Sequence, residues 1–151
     1  MKIVSNNKKA YHDYEIIDTI ETGIALIGSE VKAIRAGRVN LKDSFAKVIH
    51  NEVFLFGMHI SHLDTTNPHF RPDERRDRKL LLHKKEILKF NEKIKTKGLT
   101  LIPTKLYFNH KNRAKVELAL CRGKNLHDKR DVLKEKSIQK EIKQQLKNFG
   151  R

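Results

Sequence analysis

The sequence predicts a mainly β domain that is followed by a basic C-terminal tail. The chain has 151 residues, which suffices for one hydrophobic core but hardly for two. Several short stretches alternate apolar and polar residues between turn residues, which is typical of antiparallel strands. The last thirty residues are instead rich in Lys and Arg. We therefore expect a barrel over residues 1–122 and a basic tail over residues 123–151.

The N-terminal third is predicted to contain an arm and two strands. Residues 1–12 are polar and basic and show no periodicity, so we expect an extended arm. Alternation begins at Tyr14, and the two strands should lie on either side of a turn at residues 21–23.

Two helices are predicted from capping residues and from periodicity. A short helix is expected over residues 29–36, because Ser29 is a suitable N-cap and Glu30 suits the positive end of a helix. From about residue 77 to 96 apolar residues recur at helical spacing, and Gly98 is a suitable stop. This second helix should close one side of the barrel.

Two hairpins and one loop account for the remaining residues up to 121. The first hairpin joins residues 45–50 to residues 53–60, and the second joins residues 99–108 to residues 113–121. Residues 61–77 contain two prolines and little apolar periodicity, so we expect an exposed loop.

These elements add up to about six short strands and two flanking helices. A nearly closed antiparallel barrel of the OB-fold type buries so few strands most economically. The alternative is a split sheet with helices on one face.

The charge of the chain points to a polyanionic partner. The 33 Lys and Arg exceed the 18 Asp and Glu by 15, and such an excess favours nucleic acid because phosphate contacts release counterions. No apolar run resembles a signal peptide or a membrane span, so we expect a cytoplasmic protein with no membrane partner. The lone Cys121 cannot form an intramolecular disulfide, which agrees with a reducing compartment.

The sequence contains no pattern typical of catalysis or of a cofactor. P-loop, HExxH, CxxC and GxSxG motifs are absent. A nuclease with a divalent cation would have to use His69, Asp73, Glu74 and Asp77, but arginines are interleaved with these carboxylates and favour mutual neutralisation on a loop. We therefore predict a binding protein with no metal and no cofactor, and keep the nuclease as the opposing hypothesis.

Basic segments with nearby aromatic or polar residues are the candidate RNA contacts. Tyr14 or Tyr107 could offer a stacking face. Glu21 could accept from a base edge or order a neighbouring cation, and the alternative is an acid that only forms the turn. The candidates are Asn7, Lys8, Tyr14, Glu21, Gly23, Lys32, Arg35, Lys79, Arg113, Lys115 and Lys124.

The tail combines many cations with a narrow apolar stripe. Residues 122–151 contain ten Lys and Arg against four Asp and Glu. If the segment is helical, Ile138, Ile142, Leu146 and Phe149 lie on one side, but such a helix is marginal in water. We expect a tail that orders only on its partner. The alternative is a helix folded back on the barrel.

Several motifs in order resemble one known family. The segments are HDYEIIDTIETGIALIGSEVKAIRAGRVNLKDSFA, VFLFGMHI, RKLLLHKKEI and RGKNLHDKRDVLKEK. The last is similar to the GKK-x-HDKR signature of SmpB, or small protein B, the bacterial partner of transfer-messenger RNA. Asn125 replaces the second lysine of that signature, and Ile138 stands where some members have Trp. The resemblance covers nearly the whole chain.

The resemblance implies a function in ribosome rescue. A monomeric OB-type barrel should bind the tRNA-like domain of transfer-messenger RNA through a surface that includes Glu21, Leu81 and Lys115. The tail should enter the vacant mRNA channel of stalled ribosomes near the small-subunit decoding centre, where Gly123, His127, Asp128, Lys129 and Arg130 match the family's tail motif. A structural protein of the ribosome remains a third hypothesis, since such proteins also combine basic barrels with tails.

Overall fold

The structure, a computed structural model, describes residues 1–65 and 67–123, and of Phe70 only the backbone. The predicted tail from residue 124 onwards lies outside the described residues. Elements follow in the order β1 (Lys2–Asn6), α1 (Lys8–Asp13), β2 (Tyr14–Ile24), α2 (Gly28–Arg35), β3 (Val39–Asn40), β4 (Phe45–Ile49), β5 (Glu52–Phe56), β6 (His59–Ile60), a 3₁₀ turn (Pro68–Phe70), β7 (Arg78–Leu81), α3 (Lys84–Lys97), β8 (Thr100–Phe108) and β9 (Ala114–Gly123).

The strands of the main sheet are antiparallel, and the sheet closes into a ring. Its strand order is β1-β8-β4-β5-β7-β2-β9, and β9 also pairs with β8, so six strands form a closed circuit. One edge of β8 is shared, because β4 pairs with it at Leu101 whereas β1 pairs with it from Lys105 to Phe108. The remaining strands β3 and β6 form a separate two-stranded sheet.

The hydrophobic core fills the interior of this ring. Its members come from the inward-facing positions of the strands, such as Leu55, Leu106 and Leu118. Ile87 and Phe90 of α3 are buried in the same core, which confirms that this helix packs against the ring. Alternation in β9 therefore places Val116, Leu118 and Leu120 inside, as the sequence predicts.

The N-terminal third differs from its prediction. The expected arm is a strand and a helix, because β1 pairs with β8 and α1 packs on the sheet through Ala10. Residues 21–23 are not a turn either, since β2 runs unbroken from Tyr14 to Ile24 and pairs with β9 throughout. A bulge between Ile16 and Asp18 lets this long strand follow the curvature of the ring.

Both predicted helices exist, but each begins at a different residue. The first helix starts at Gly28 with Ile27 as N-cap, and Glu30 Oε1 accepts from the Ile27 N–H at 3.1 Å. The N-cap prediction for Ser29 is therefore wrong. Residues 78–81, predicted to be helical, form the strand β7 between β5 and β2, and α3 begins only at Lys84.

Both predicted hairpins are confirmed, although the first one ends early. The β4–β5 turn places His50 and Asn51 at positive φ, as tight hairpins require. The second strand stops at Phe56, because Gly57 has a φ of +83° and its backbone approaches the carbonyl of Asp43. A Cβ at this position would lie 3.1 Å from that oxygen, so only glycine fits there.

A buried ionic network ties the loop at residues 61–77 to the interior. Glu30 is 0 % exposed and Arg78 is 1 % exposed, and the Arg78 Nη2–Glu30 Oε2 distance is 2.8 Å. Arg76 also donates to Glu30, with an Nη2–Oε1 distance of 2.7 Å. Burial alone would raise the pKa of Glu30, but hydrogen bonds from both guanidinium groups outweigh it and hold the pKa below its ordinary value.

Candidate nucleic-acid interface

Five residues form a continuous row across the outer face of the sheet. Gly23 is paired with Leu81 on one side and with Lys115 on the other, and Lys115 is paired with Tyr107, which is paired with Ile3. Paired positions in antiparallel strands present their side chains on the same face. We call these five residues the outer row. It brings together three of the predicted RNA contacts, from three separate parts of the sequence.

Glu21 lies beside the outer row on the same face. It precedes Gly23 by two residues in β2, and side chains two apart in a strand point to the same side. Its side chain is exposed, and its Oε2 accepts a hydrogen bond from the Tyr107 hydroxyl. Tyr107 itself is only 5 % exposed, so it does not offer the open stacking face that the sequence suggested.

The environment of Tyr107 keeps its hydroxyl protonated. Burial raises the pKa of Tyr107, and the hydrogen bond to the Glu21 carboxylate raises it further. The hydroxyl is therefore a donor throughout the range in which proteins are ordinarily assayed. The partner of the Glu21 carboxylate is therefore a neutral hydroxyl group and not a cation.

Gly23 and Leu81 lie in close contact. A Cβ at residue 23 would lie 3.3 Å from the Cβ and 3.4 Å from the Cδ1 of Leu81. The leucine side chain therefore extends over bare backbone, where it is 52 % exposed. Large apolar side chains that remain so exposed are informative when they line a concave surface.

A concave surface does adjoin this leucine. A cavity of about 320 Å³ is lined by Gly23, Leu81, Phe108, Arg113 and Lys115, among others. Its apolar floor and its two cations suit an unpaired nucleotide, whose base is apolar on its faces and whose phosphate is anionic. Arg113 thus lies in the cavity beside the outer row, where its predicted role as an RNA contact places it.

A second cavity continues the surface beyond Phe108. It has a volume of about 440 Å³, and Lys2, Arg35, Phe108 and Asn112 are among its lining residues. The Arg35 guanidinium lies 4.4 Å from the centre of the Phe108 ring, and its Nη2 donates to the Asn112 carbonyl at 3.4 Å. Lys32 lies one turn earlier in α2, so it is on the same side of the helix as Arg35.

Three other candidates are not part of the outer row and do not line its two cavities. Lys79 faces outward on β7, but its Nζ is 2.8 Å from the Glu52 carboxylate, and both side chains are about half exposed. Lys8 is exposed on α1. Tyr14 packs against the small apolar cluster beneath α1, where burial raises its pKa.

Asn7 is a correction to the set of RNA contacts. Its side chain is 5 % exposed. Its Nδ2 donates to the Pro103 carbonyl at 2.9 Å, and its Oδ1 accepts from the Ala10 N–H as the N-cap of α1. The amide therefore fixes the helix on the sheet and is not available to a ligand.

Gly123, predicted to be the first residue of the tail, lies in the sheet, because it is part of β9 and pairs with Tyr14. Gly23, which pairs with Lys115, follows Tyr14 by nine residues in β2, and this corresponds to about 30 Å along the strand at the usual rise. Gly123 is therefore far from the outer row along the sheet. Lys124, His127, Asp128, Lys129 and Arg130 lie outside the described residues.

Glu74, one of the acidic residues considered for a nuclease, has other partners. Glu74 Oε1 lies 2.9 Å from His59 Nε2, and its Oε2 accepts from the His62 N–H. Across residues 1–65 and 67–123, no group of three or more His, Cys, Asp or Glu side chains is arranged to hold a metal ion. In the same part of the chain no helix is both long and apolar enough to cross a membrane.

Three features of the surface were not predicted from the sequence. Phe108 reads as one more apolar strand residue, yet it lies beneath Arg35 and lines both cavities. The Tyr107–Glu21 hydrogen bond joins residues 86 positions apart. Glu117 is directly opposite Glu21 and accepts from the Thr104 hydroxyl at 2.6 Å. The strong alternation around these residues was the only signal that the sequence offered.

Comparison with known proteins identifies the family. The family model described as SmpB protein matches residues 4–148. The chain belongs to the SmpB family. The matched range covers the outer row except Ile3, both hairpins and most of the basic C-terminal segment, so the family assignment concerns the chain as a whole.

Individual SmpB relatives agree over nearly their full length. The SsrA-binding protein of a Nitratiruptor species is 60 % identical over 149 residues and covers 99 % of each chain. That of Helicobacter pylori (strain J99) is 58 % identical over 148 residues, or 98 % of this chain and 97 % of its own. A chain in a solved structure of tmRNA–SmpB and the center of the bacterial ribosome has a TM-score of 0.66 and 48 % identity, and the match covers 79 % of this chain and 82 % of that one.

Proposed function

We propose that this chain binds the tRNA-like domain of transfer-messenger RNA and delivers it to ribosomes stalled in translation. The observation that carries the proposal is the assembly of Glu21, Gly23, Leu81 and Lys115 on one face from three separated segments. The names of its relatives as SsrA-binding proteins support the same partner. The net charge of +15 supplies the electrostatic attraction.

The folded part acts as an OB-type barrel that recognises RNA by shape and backbone. The closed circuit of six strands and the helix that packs into it support this classification. Cations beside the two cavities, chiefly Arg35, Arg113 and Lys115, contact phosphates. The exposed side chain of Leu81 receives an unpaired base. The protein acts as a cytoplasmic monomer and catalyses no reaction.

The tail acts on the ribosome and not on the RNA that the sheet binds. The resemblance of residues 127–130 to the family's tail motif supports this division, because that motif is separate in the sequence from Glu21, Leu81 and Lys115. In this proposal residues 124–151 enter the vacant mRNA channel. His127 stacks on a base of the decoding centre. Asp128, Lys129 and Arg130, the next residues of the tail motif, act on the ribosome at the same place.

A competition assay tests RNA selectivity. The full chain is bound to the labelled tRNA-like domain and challenged with unlabelled folded RNA or with an unstructured RNA of the same length and composition. Folded RNA should displace the label at far lower concentration, since the surface is built to match a fixed shape. Equal displacement by both competitors would contradict the proposal.

A further inference from the structure

A carboxylate beside the cations of the proposed RNA-binding surface requires an explanation. Glu21 is exposed beside Lys115 and directly opposite Glu117. Like charges on directly opposed residues destabilise a sheet, and a carboxylate repels the phosphates that the surrounding cations attract. A residue of this kind is favourable at such a place when it faces a hydrogen-bond donor of the ligand.

The position of the Glu21 carboxylate is set by Tyr107. Glu21 is in β2 and Tyr107 is in β8, with β9 between them. Two strand spacings amount to about 10 Å, so the phenol ring has to reach across β9 for its hydroxyl to donate to Glu21 Oε2. The ring is nearly buried and cannot move freely.

The other carboxylate oxygen remains available. Among the described residues, Oε1 of Glu21 has no hydrogen-bond partner, because the only bond of its side chain is the one from Tyr107. An ionised carboxylate accepts several hydrogen bonds and donates none. The only groups of an RNA that can satisfy it are ribose hydroxyls and the N–H groups of bases.

We propose that Tyr107 is a positioning residue that aims Glu21 at an O–H or N–H donor of the bound RNA. The inference rests on the proposed function and adds to it both a residue and a chemical class of contact. Tyr107 touches no ligand itself. It restricts the carboxylate to one orientation, so that less conformational freedom is lost when the RNA binds.

The first test compares the RNA affinities of four proteins. The parent chain, Tyr107→Phe, Glu21→Gln and the double variant are titrated with the tRNA-like domain. Tyr107→Phe frees one side chain that must be ordered again when the RNA binds, which corresponds to about threefold to tenfold weaker binding. The double variant should bind no more weakly than Glu21→Gln, because the tyrosine acts only through the carboxylate. Unchanged affinity of Tyr107→Phe, or effects that multiply in the double variant, would overturn the proposal.

Thr22→Val is the matched control for a purely structural role. Thr22 is the neighbour of Glu21 in β2, and its buried hydroxyl donates to the Val116 carbonyl on β9 at 3.0 Å, on the inner side of the sheet. Its replacement should lower stability as Tyr107→Phe does, yet leave RNA affinity unchanged. Equal loss of affinity in both variants would show that only general stability matters. If Tyr107→Phe does not fold, Glu21→Asp shortens the carboxylate and should weaken binding to a similar extent; parent-like affinity of that variant would overturn the proposal.

Modified RNAs identify the donor. Single 2′-deoxy nucleotides remove a ribose hydroxyl, and inosine in place of guanosine removes a base amino group. One such change should weaken binding to the parent chain and have no further effect on Glu21→Gln. If no change behaves in this way, Glu21 faces no donor and the inference fails. Failure of the parent chain to bind any of the RNA would overturn the proposed function as well, whereas normal binding with an unaffected Tyr107→Phe overturns this inference alone.

Discussion

Replacement of Glu30 by Gln should destabilise the fold far more than any surface charge change. The substitution keeps the size of the side chain but removes the charge that Arg78 faces at 2.8 Å. Arg78 is 1 % exposed, and although burial lowers its pKa, a guanidinium still remains charged at neutral pH. An uncompensated buried charge costs about 3–5 kcal/mol. That is a large fraction of the roughly 5–15 kcal/mol that stabilises an ordinary domain.

Urea denaturation of the parent chain and of Glu30→Gln measures this loss. The matched control is Glu52→Gln, which removes the same charge from the half-exposed pair with Lys79 and should cost at most about 1 kcal/mol. If Glu30→Gln unfolds within about 1 kcal/mol of the parent chain, the buried network does not hold α2 to β7 as described.

The pH dependence of the same two proteins gives an independent check. The folded-state pKa of Glu30 lies below its ordinary value of 4.5. Its contribution to stability is therefore complete above that value and is lost as the pH falls through the lower folded-state pKa. The gap in stability between parent chain and variant should narrow in acid and stay constant near neutral pH.

Three further predictions concern the outer face and the core. Gly23→Ala places a methyl group against the leucine of the outer row and should weaken RNA binding several-fold, whereas Gly28→Ala, which meets nothing within 4 Å, should leave affinity unchanged in the same titration. Lys115→Ala should reduce the slope of log affinity against log salt by roughly one, and a control at Lys95 of α3 should leave the slope as it is. Burial raises the pKa of Cys121 to about 12, so its thiol should resist a thiol reagent at mildly alkaline pH in the folded state and react fully in urea; rapid reaction without denaturant would contradict the buried position.

Local pattern predicted the elements whose partners are near in sequence. The second hairpin was predicted because alternation on both sides of residues 109–112 leaves one register that buries all the apolar side chains. The end of α3 at Gly98 follows from local backbone preferences in the same way. The turn of the first hairpin lies at residues 50–51, one residue before the predicted position 51–52. Such preferences act within a few residues and can be inferred from the sequence alone.

Segments whose conformation depends on contacts with residues far away in the sequence were not predicted correctly. Residues 78–81 have helical spacing and helix-favouring side chains, but Arg78 forms its ion pair with Glu30, 48 residues away, and the backbone pairs with β5 and β2. Gly23 was interpreted as a turn residue, whereas it is glycine because Leu81 lies against it. In both cases tertiary contacts outweighed local propensity.

The sequence predicted which residues belong to the candidate site better than it predicted how they are arranged. Outward phase and charge selected Lys115 and Arg113, Glu21 was singled out as an acid among basic segments, and the resemblance to the family added Leu81. That these residues adjoin one another depends on the closure of the ring, which no local signal specifies. Asn7 was misassigned because a polar residue in a basic segment resembles a surface contact, although its amide is buried in the N-cap of α1.

The division of function between sheet and tail is tested most directly by one paired measurement. RNA affinity and tagging on stalled ribosomes are measured together for a variant in which Asp128, Lys129 and Arg130 are all replaced by Ala, and for Lys115→Ala. The tail variant should bind the tRNA-like domain as tightly as the parent chain and fail in tagging, whereas Lys115→Ala should lose affinity and lose tagging in proportion. Equal loss of RNA affinity in both variants would contradict the division.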